Sequence, residues 1–158
     1  MTILLDIDGV MLPQTSDDIP TLADGFRAFT EIAAANLAHL VYTLDAHIVL
    51  TSNHRVSYTA KKWVELFQTR DIDIKEVAFI NDLPFNKMMD RATEIKEWVQ
   101  QHGANTNYVI LDDDYSLNTL PEYIKRRWVA TDPSVGFDDD AANKALGILL
   151  NNADISAT

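Results

Sequence analysis

The succession of hydrophobic segments predicts an α/β chain built on a doubly wound, Rossmann-like parallel sheet, and three observations carry that expectation. Short apolar runs alternate with longer stretches of helical periodicity, which implies right-handed crossovers between parallel strands. Three of those runs stop on polar residues of complementary chemistry: Asp6-Ile7-Asp8-Gly9, Thr51-Ser52-Asn53-His54-Arg55 and Asp112-Asp113-Asp114. The 158 residues, 47% of them hydrophobic, show no repeat, low-complexity segment or linker, which suits a single domain over residues 1–158.

Five strands are expected, near 3–7, 46–51, 77–80, 108–112 and 127–131. Helices are expected near 22–44, 56–69, 87–102 and 138–151, with shorter helical turns over 115–124. The run Ile3-Leu4-Leu5 suits a strand buried on both faces, and Gly9 lets the chain turn at once so that Asp6 and Asp8 can face one site. Ala46-His47-Ile48-Val49-Leu50 and Tyr108-Val109-Ile110-Leu111 read the same way. Asp71 and Asp73 alternate with Ile72 and Ile74, which suggests a strand approach with an outward acidic face. Trp63 and Trp98 fall within amphipathic helices as core or boundary aromatics. The last helix starts where the acids at 138–140 precede Ala141, Ala145, Ile148 and Leu149 at helical spacing.

In a parallel sheet the carboxyl ends of the strands converge, and ligands bind there. An Asp-Gly strand ending taken alone is equally well explained as a solvated turn. Three such endings together describe an acidic cluster, hydroxyl donors and a guanidinium around one pocket. Crowded carboxylates repel unless a positive charge lies between them; a divalent cation with oxygen ligands answers this, and Mg²⁺ suits a site that also handles phosphate.

These parts, in this order, resemble the haloacid dehalogenase-like (HAD) phosphohydrolase superfamily. The matching features are Asp-x-Asp-Gly at 6–9, a strand ending in Thr51, a basic residue on a later helix, and the pair Asp112-Asp113. Within it the chain is similar to the HAD domain of Swiss Army Knife RNA repair proteins. That similarity rests on Thr51-Ser52-Asn53-His54-Arg55, on Arg91-Ala92-Thr93-Glu94-Ile95-Lys96-Glu97-Trp98-Val99 and on Thr131-Asp132-Pro133-Ser134-Val135-Gly136-Phe137. The resemblance implies strand order 3-2-1-4-5 with Asp6 on the central strand, and a HAD-like core. The interval 11–45 is largely used by a loop and a helix and 81–86 is only a short Pro-containing loop, so neither holds a cap domain and the pocket is expected to be open.

The chemistry such a site needs assigns the residues. Asp6 would attack phosphorus and form an aspartyl-phosphate; Asp8 would protonate the leaving oxygen and then deprotonate water. Asp6, Asp112 and the Asp8 carbonyl would hold Mg²⁺, with Asp113 fixing the site, and Thr51 and Ser52 would donate to phosphate oxygens. For Thr51 alone, a hydroxyl capping a strand end is the competing explanation. The balancing cation is Arg91 or Lys87, four apart and on one helical face, with Arg91 ranked first and Lys96 facing solvent. Arg55 is placed either on a substrate phosphate or in a surface ion pair. His54 reads as polar loop surface, and His39, His47 and His102 show no ligand spacing. The expected activity is a Mg²⁺-dependent phosphoric monoester hydrolase, with a nucleic-acid end or nucleotide as candidate substrate. Alternatives are a phosphotransferase or dehalogenase using the same nucleophile, and a phosphate- or metal-binding regulatory module without turnover.

Composition narrows the partners. The absence of cysteine rules out disulfides and thiolate metal sites and fits a reducing compartment. The first residues carry no basic start before Asp6, and no apolar stretch approaches the roughly 20 residues that span a bilayer, so a cytoplasmic protein without membrane contact is expected. A net charge of −11 disfavours non-specific nucleic-acid binding. The basic and aromatic groups Lys61-Lys62-Trp63 and Lys125-Arg126-Arg127-Trp128 read as a solvated helix face and the approach to a strand rather than as a nucleic-acid surface.

Overall fold

The computed structural model describes residues 1–15 and 18–151. Its centre is a five-stranded, all-parallel sheet with strands β1 (Thr2–Leu5), β2 (His47–Leu50), β3 (Val77–Phe79), β4 (Tyr108–Asp112) and β5 (Trp128–Ala130) in the order β3-β2-β1-β4-β5. Leu5 is level with Leu50 on one side and Leu111 on the other. The next residues, Asp6 and Thr51 just past their strands and Asp112 as the last residue of β4, therefore lie at the same height. Ladder hydrogen bonds continue one step past the ends, from Asp6 N to Leu111 O (3.0 Å) and from Thr51 N to Leu5 O (2.9 Å).

Alternation along the central strands feeds two cores. Ile3, Leu5, Ile48, Leu50, Val109 and Leu111 face one side, against helices α1 (Glu31–Leu44), α2 (Ala60–Thr69) and α5 (Asp139–Leu150). Leu4, Val49 and Ile110 face the other, against α3 (Arg91–His102) and the short helix α4 (Glu122–Lys125). Strands buried on both faces are why these segments read as unbroken apolar runs rather than as alternating ones. Among the described residues no further domain is inserted into this core.

Every expected strand forms, but several helices start later than expected. Residues 22–30, expected to open the first helix, instead form a turn in which Leu22 N donates to Phe26 O, Thr21 bridges Arg27, and Gly25 takes φ +85°, a conformation suited to glycine. The helix begins at Glu31 because Thr30 caps it, its Oγ1 accepting from Ala33 N. Thr59 and Asp90 likewise start α2 at Ala60 and α3 at Arg91. Lys87 consequently lies in a separate 3-10 turn, Phe85–Lys87, and shares no helical face with Arg91. The approach at 71–74 is not a strand: Ile72 and Ile74 are buried, but Asp71 adopts φ +61°.

Candidate active site

Asp6 ends the central strand, and Gly9 turns the chain immediately beyond it with φ +80°. A side chain at position 9 would run into the carboxylate of Asp113, so only glycine allows the first and fourth strand ends to approach this closely. The turn is held from the far edge of the sheet: Thr131 Oγ1 donates to Gly9 O (2.9 Å) and Phe137 N to Val10 O (2.8 Å). The segment Thr131–Phe137 is thus a brace for the Asp6-Asp8 loop.

Three carboxylates meet there. Asp6, Asp112 and Asp113 each offer an oxygen within 4.8 Å of the others; Asp6 and Asp112 are buried and Asp113 half-buried. Arg91, the first residue of α3, enters between them. Its Nη1 donates to Asp112 Oδ2 (2.5 Å) and to Thr51 Oγ1 (3.3 Å) and lies 3.4 Å from Asp6 Oδ1. Burial and then the charge of Asp112 push the Asp6 carboxyl up to about 8, against the opposing pull of Arg91. Burial also raises Asp112, and burial followed by the Asp112 charge raises Asp113. Arg91 is raised as well: burial disfavours its charge, but Asp112 and Asp6 overcome that and hold the guanidinium charged.

One guanidinium among three carboxylates leaves a formal excess of negative charge in a buried place. This all-oxygen donor set fits a hard divalent cation such as Mg²⁺, whose binding would favour the deprotonated form of all three acids. Asp8, by contrast, directs its side chain away from this cluster. It is largely exposed and pairs with His54, Nε2 to Oδ2 at 2.9 Å. The hydrogen bond from His54 lowers the Asp8 carboxyl below its ordinary range, and the same bond raises the His54 imidazole. His54 is itself held edge-on by Phe26, with ring centroids 5.2 Å apart. The backbone N–H of His54 donates to Ser52 Oγ, so Ser52 retains its own proton for a ligand. Asp6, Asp8, Ser52, His54, Arg91 and Asp113 line one cavity of about 390 Å³.

The predicted site residues therefore divide. Asp6, Asp112, Asp113, Arg91 and Thr51 are drawn into one cluster, with Thr51 buried against Arg91, and Asp8 and Ser52 face the shared cavity. Lys87 and Lys96 are exposed and stand outside it. Arg55 is in neither of its expected places. It is 1% exposed and its guanidinium is occupied by Glu94 Oε2 (2.7 Å), Asn81 Oδ1 (3.0 Å) and the carbonyls of Thr51 and Ser52. Burial with protein acceptors on both terminal nitrogens makes it an internal tie rather than a phosphate ligand. His54, read as plain loop surface, partners Asp8. Asn81 and Glu94 carry no role expected from the sequence; the one clue there is an acid at Glu94, one turn after Arg91 on the apolar side of α3.

An open HAD-like α/β core with an acidic, arginine-balanced pocket at its strand ends defines a phosphohydrolase-type domain. The family model for the HAD domain in Swiss Army Knife RNA repair proteins matches residues 2–142, and the chain belongs to that family. No curated protein and no solved structure was found to match it. Among the described residues no helix is long and apolar enough to cross a membrane.

Proposed function

We propose that this chain is a Mg²⁺-dependent phosphatase that hydrolyses a phosphate monoester through an aspartyl-phosphate on Asp6, acting on a nucleotide or a polynucleotide end. The observation that carries this reading is Arg91 set between Asp6 and Asp112 at the end of the central strand. Family membership supports the reaction class, and the RNA-repair setting of the family supports the substrate class. Asp6, Asp112 and Asp113, with the Asp8 carbonyl, would hold Mg²⁺, which when bound supplies charge neutralisation for the nucleophile and the phosphoryl oxygens.

The chain's own residues would then act in order. The Asp6 carboxylate attacks phosphorus in line, the bond to the leaving oxygen breaks, and Asp8 passes the proton held in its hydrogen bond with His54 to that oxygen. Asp8, now deprotonated, takes a proton from the water that attacks the phosphorus of the aspartyl ester, releasing phosphate and regenerating Asp6. Arg91 and the Ser52 hydroxyl donate to phosphoryl oxygens throughout, and Thr51 orients Arg91.

The test is a panel of phosphorylated metabolites, nucleotides and 3′- or 5′-phosphorylated oligonucleotides, assayed with Mg²⁺ and with EDTA. Mg²⁺-dependent phosphate release, lost in Asp6→Asn, is expected, with Asp8→Asn accumulating a phosphorylated protein detectable by mass spectrometry. Turnover retained by Asp6→Asn overturns the covalent route.

A further inference from the structure

Two large apolar side chains stand in water at the rim of this otherwise polar cavity. Phe85, on the connection from β3 to α3, is 69% exposed, and Val56, on the connection from β2 to α2, is 48% exposed; both line the same cavity as Asp6, Asp8, Ser52 and Arg91. A single exposed hydrophobic residue needs no explanation. Two on separate loops meeting at one pocket that also holds the candidate nucleophile form a surface with a use.

Phe85 is also held in place. Pro84 precedes it with φ −68°, and the 3-10 turn closes with Lys87 N donating to Pro84 O (2.9 Å). Upstream, Leu83 N donates to Asn81 Oδ1, and Asn81 is fixed in turn by Glu94 Oε2 (2.7 Å) and Arg55 Nη2 (3.0 Å). The buried tie between Arg55 and Glu94 thus reaches through Asn81 to the turn that presents the ring. An aromatic side chain on an anchored turn loses little freedom when a ligand covers it.

We propose that Phe85 is a specificity-determining residue, its ring stacking on a planar ring in the leaving group of the phosphate ester, with Val56 covering part of the same group. The inference rests on the phosphatase reading for the identity of the neighbouring phosphate. It names what that reading leaves open, the way this chain holds the rest of its substrate. At a net charge of −11 the protein gains no general attraction to a polyanion, so affinity for the part of a nucleotide beyond the phosphate that Arg91 and Ser52 hold has to come from contacts that do not depend on positive charge. Base–aromatic stacking is such a contact, and it tolerates any base.

The experiment compares adenosine 5′-monophosphate with ribose 5-phosphate, which keeps the sugar and phosphate and lacks the ring. Binding to the intact protein is measured by calorimetry, and kcat/KM is measured with Mg²⁺. Wild type should favour the nucleotide by about tenfold or more, and Phe85→Ala should reduce that ratio by about tenfold. Phe85→Trp should keep the ratio. Phe85→Leu, which retains apolar area without a ring face, should lose most of it. An equal affinity of wild type for both compounds, or an equal loss for both in Phe85→Ala, overturns the proposal. A ratio kept in Phe85→Leu but lost in Phe85→Ala also overturns it, in favour of simple apolar contact. Absence of turnover with either compound counts against the phosphatase reading, whereas the binding ratio decides the stacking role in either case.

Discussion

Arg55 and Glu94 meet at 2.7 Å with both side chains 1% exposed, joining the loop after β2 to the first turns of α3. That pair sets the distance between the Ser52 donor and the helix that carries Arg91. Taking one partner away leaves the other charge buried without compensation, so Glu94→Ala should lower stability by roughly 3–5 kcal/mol, read from urea unfolding. Replacing both with apolar residues of similar volume, Arg55→Met with Glu94→Leu, should cost much less than the two single changes added together. Additive losses would show that the two groups do not depend on each other.

Arg91 and Lys87 separate cleanly as candidates for the balancing cation. Arg91→Ala should cut kcat by about two orders of magnitude or more, the scale seen when a charged donor to the transition state is lost. Lys87→Ala, at an exposed turn position, should fall well short of that. Steady-state kinetics of the two variants on one substrate checks this, and a larger loss for Lys87→Ala reverses the assignment.

The acidic cluster should destabilise the metal-free protein in a pH-dependent way. With the Asp6 carboxyl raised to about 8 by burial and Asp112, the folded chain binds a proton that the unfolded chain releases near 3.8. Stability should therefore fall as pH rises from about 4 to 8. Mg²⁺ should restore it, most strongly at the alkaline end, because the cation binds the deprotonated folded form. Asp6→Asn should flatten the metal-free profile and melt higher than wild type near pH 8, while Asp112→Ala should remove most of the Mg²⁺ effect. Thermal melts across pH, in EDTA and in millimolar Mg²⁺, decide the point.

The pair of His54 and Asp8 has its own window. The raised His54 contributes stability that is full below its ordinary value of 6.5 and is lost as pH climbs through the higher folded value. The lowered Asp8 contributes stability that is present above 3.8 and is lost as pH falls through its depressed value. The pair is therefore strongest between those limits. NMR titration should find His54 above 6.5 in wild type and back near it in Asp8→Asn; an identical value in both proteins would deny the coupling.

What could be read from the chain depended on sequence distance. Asp6, Thr51 and Asp112 were legible because each directly follows an unbroken apolar run, and parallel strands in register must deliver such residues to one edge. The start of α1 was not, because Leu22, Phe26 and Phe29 continue the helical spacing backwards and mask the Asp24-Gly25 turn. Arg55 was misplaced because its partners Asn81 and Glu94 lie 26 and 39 residues away, and no local pattern marks a buried ion pair. His54 was undervalued for the same reason, since Asp8 is 46 residues distant.

The turn at 22–27 carries a last consequence. Arg70, at the end of α2, donates to both carboxylate oxygens of Asp24 and to the carbonyls of Phe26 and Arg27, and Phe26 in turn abuts Tyr58, Trp63 and His54. A connection with almost no regular secondary structure is thereby riveted to a helix behind it, so the side of the mouth nearest His54 has a set width. Proteases that cut at exposed loops should leave it intact for as long as α2 itself survives. A ligand would meet an entrance already in its working shape, and would spend none of its binding energy in closing it.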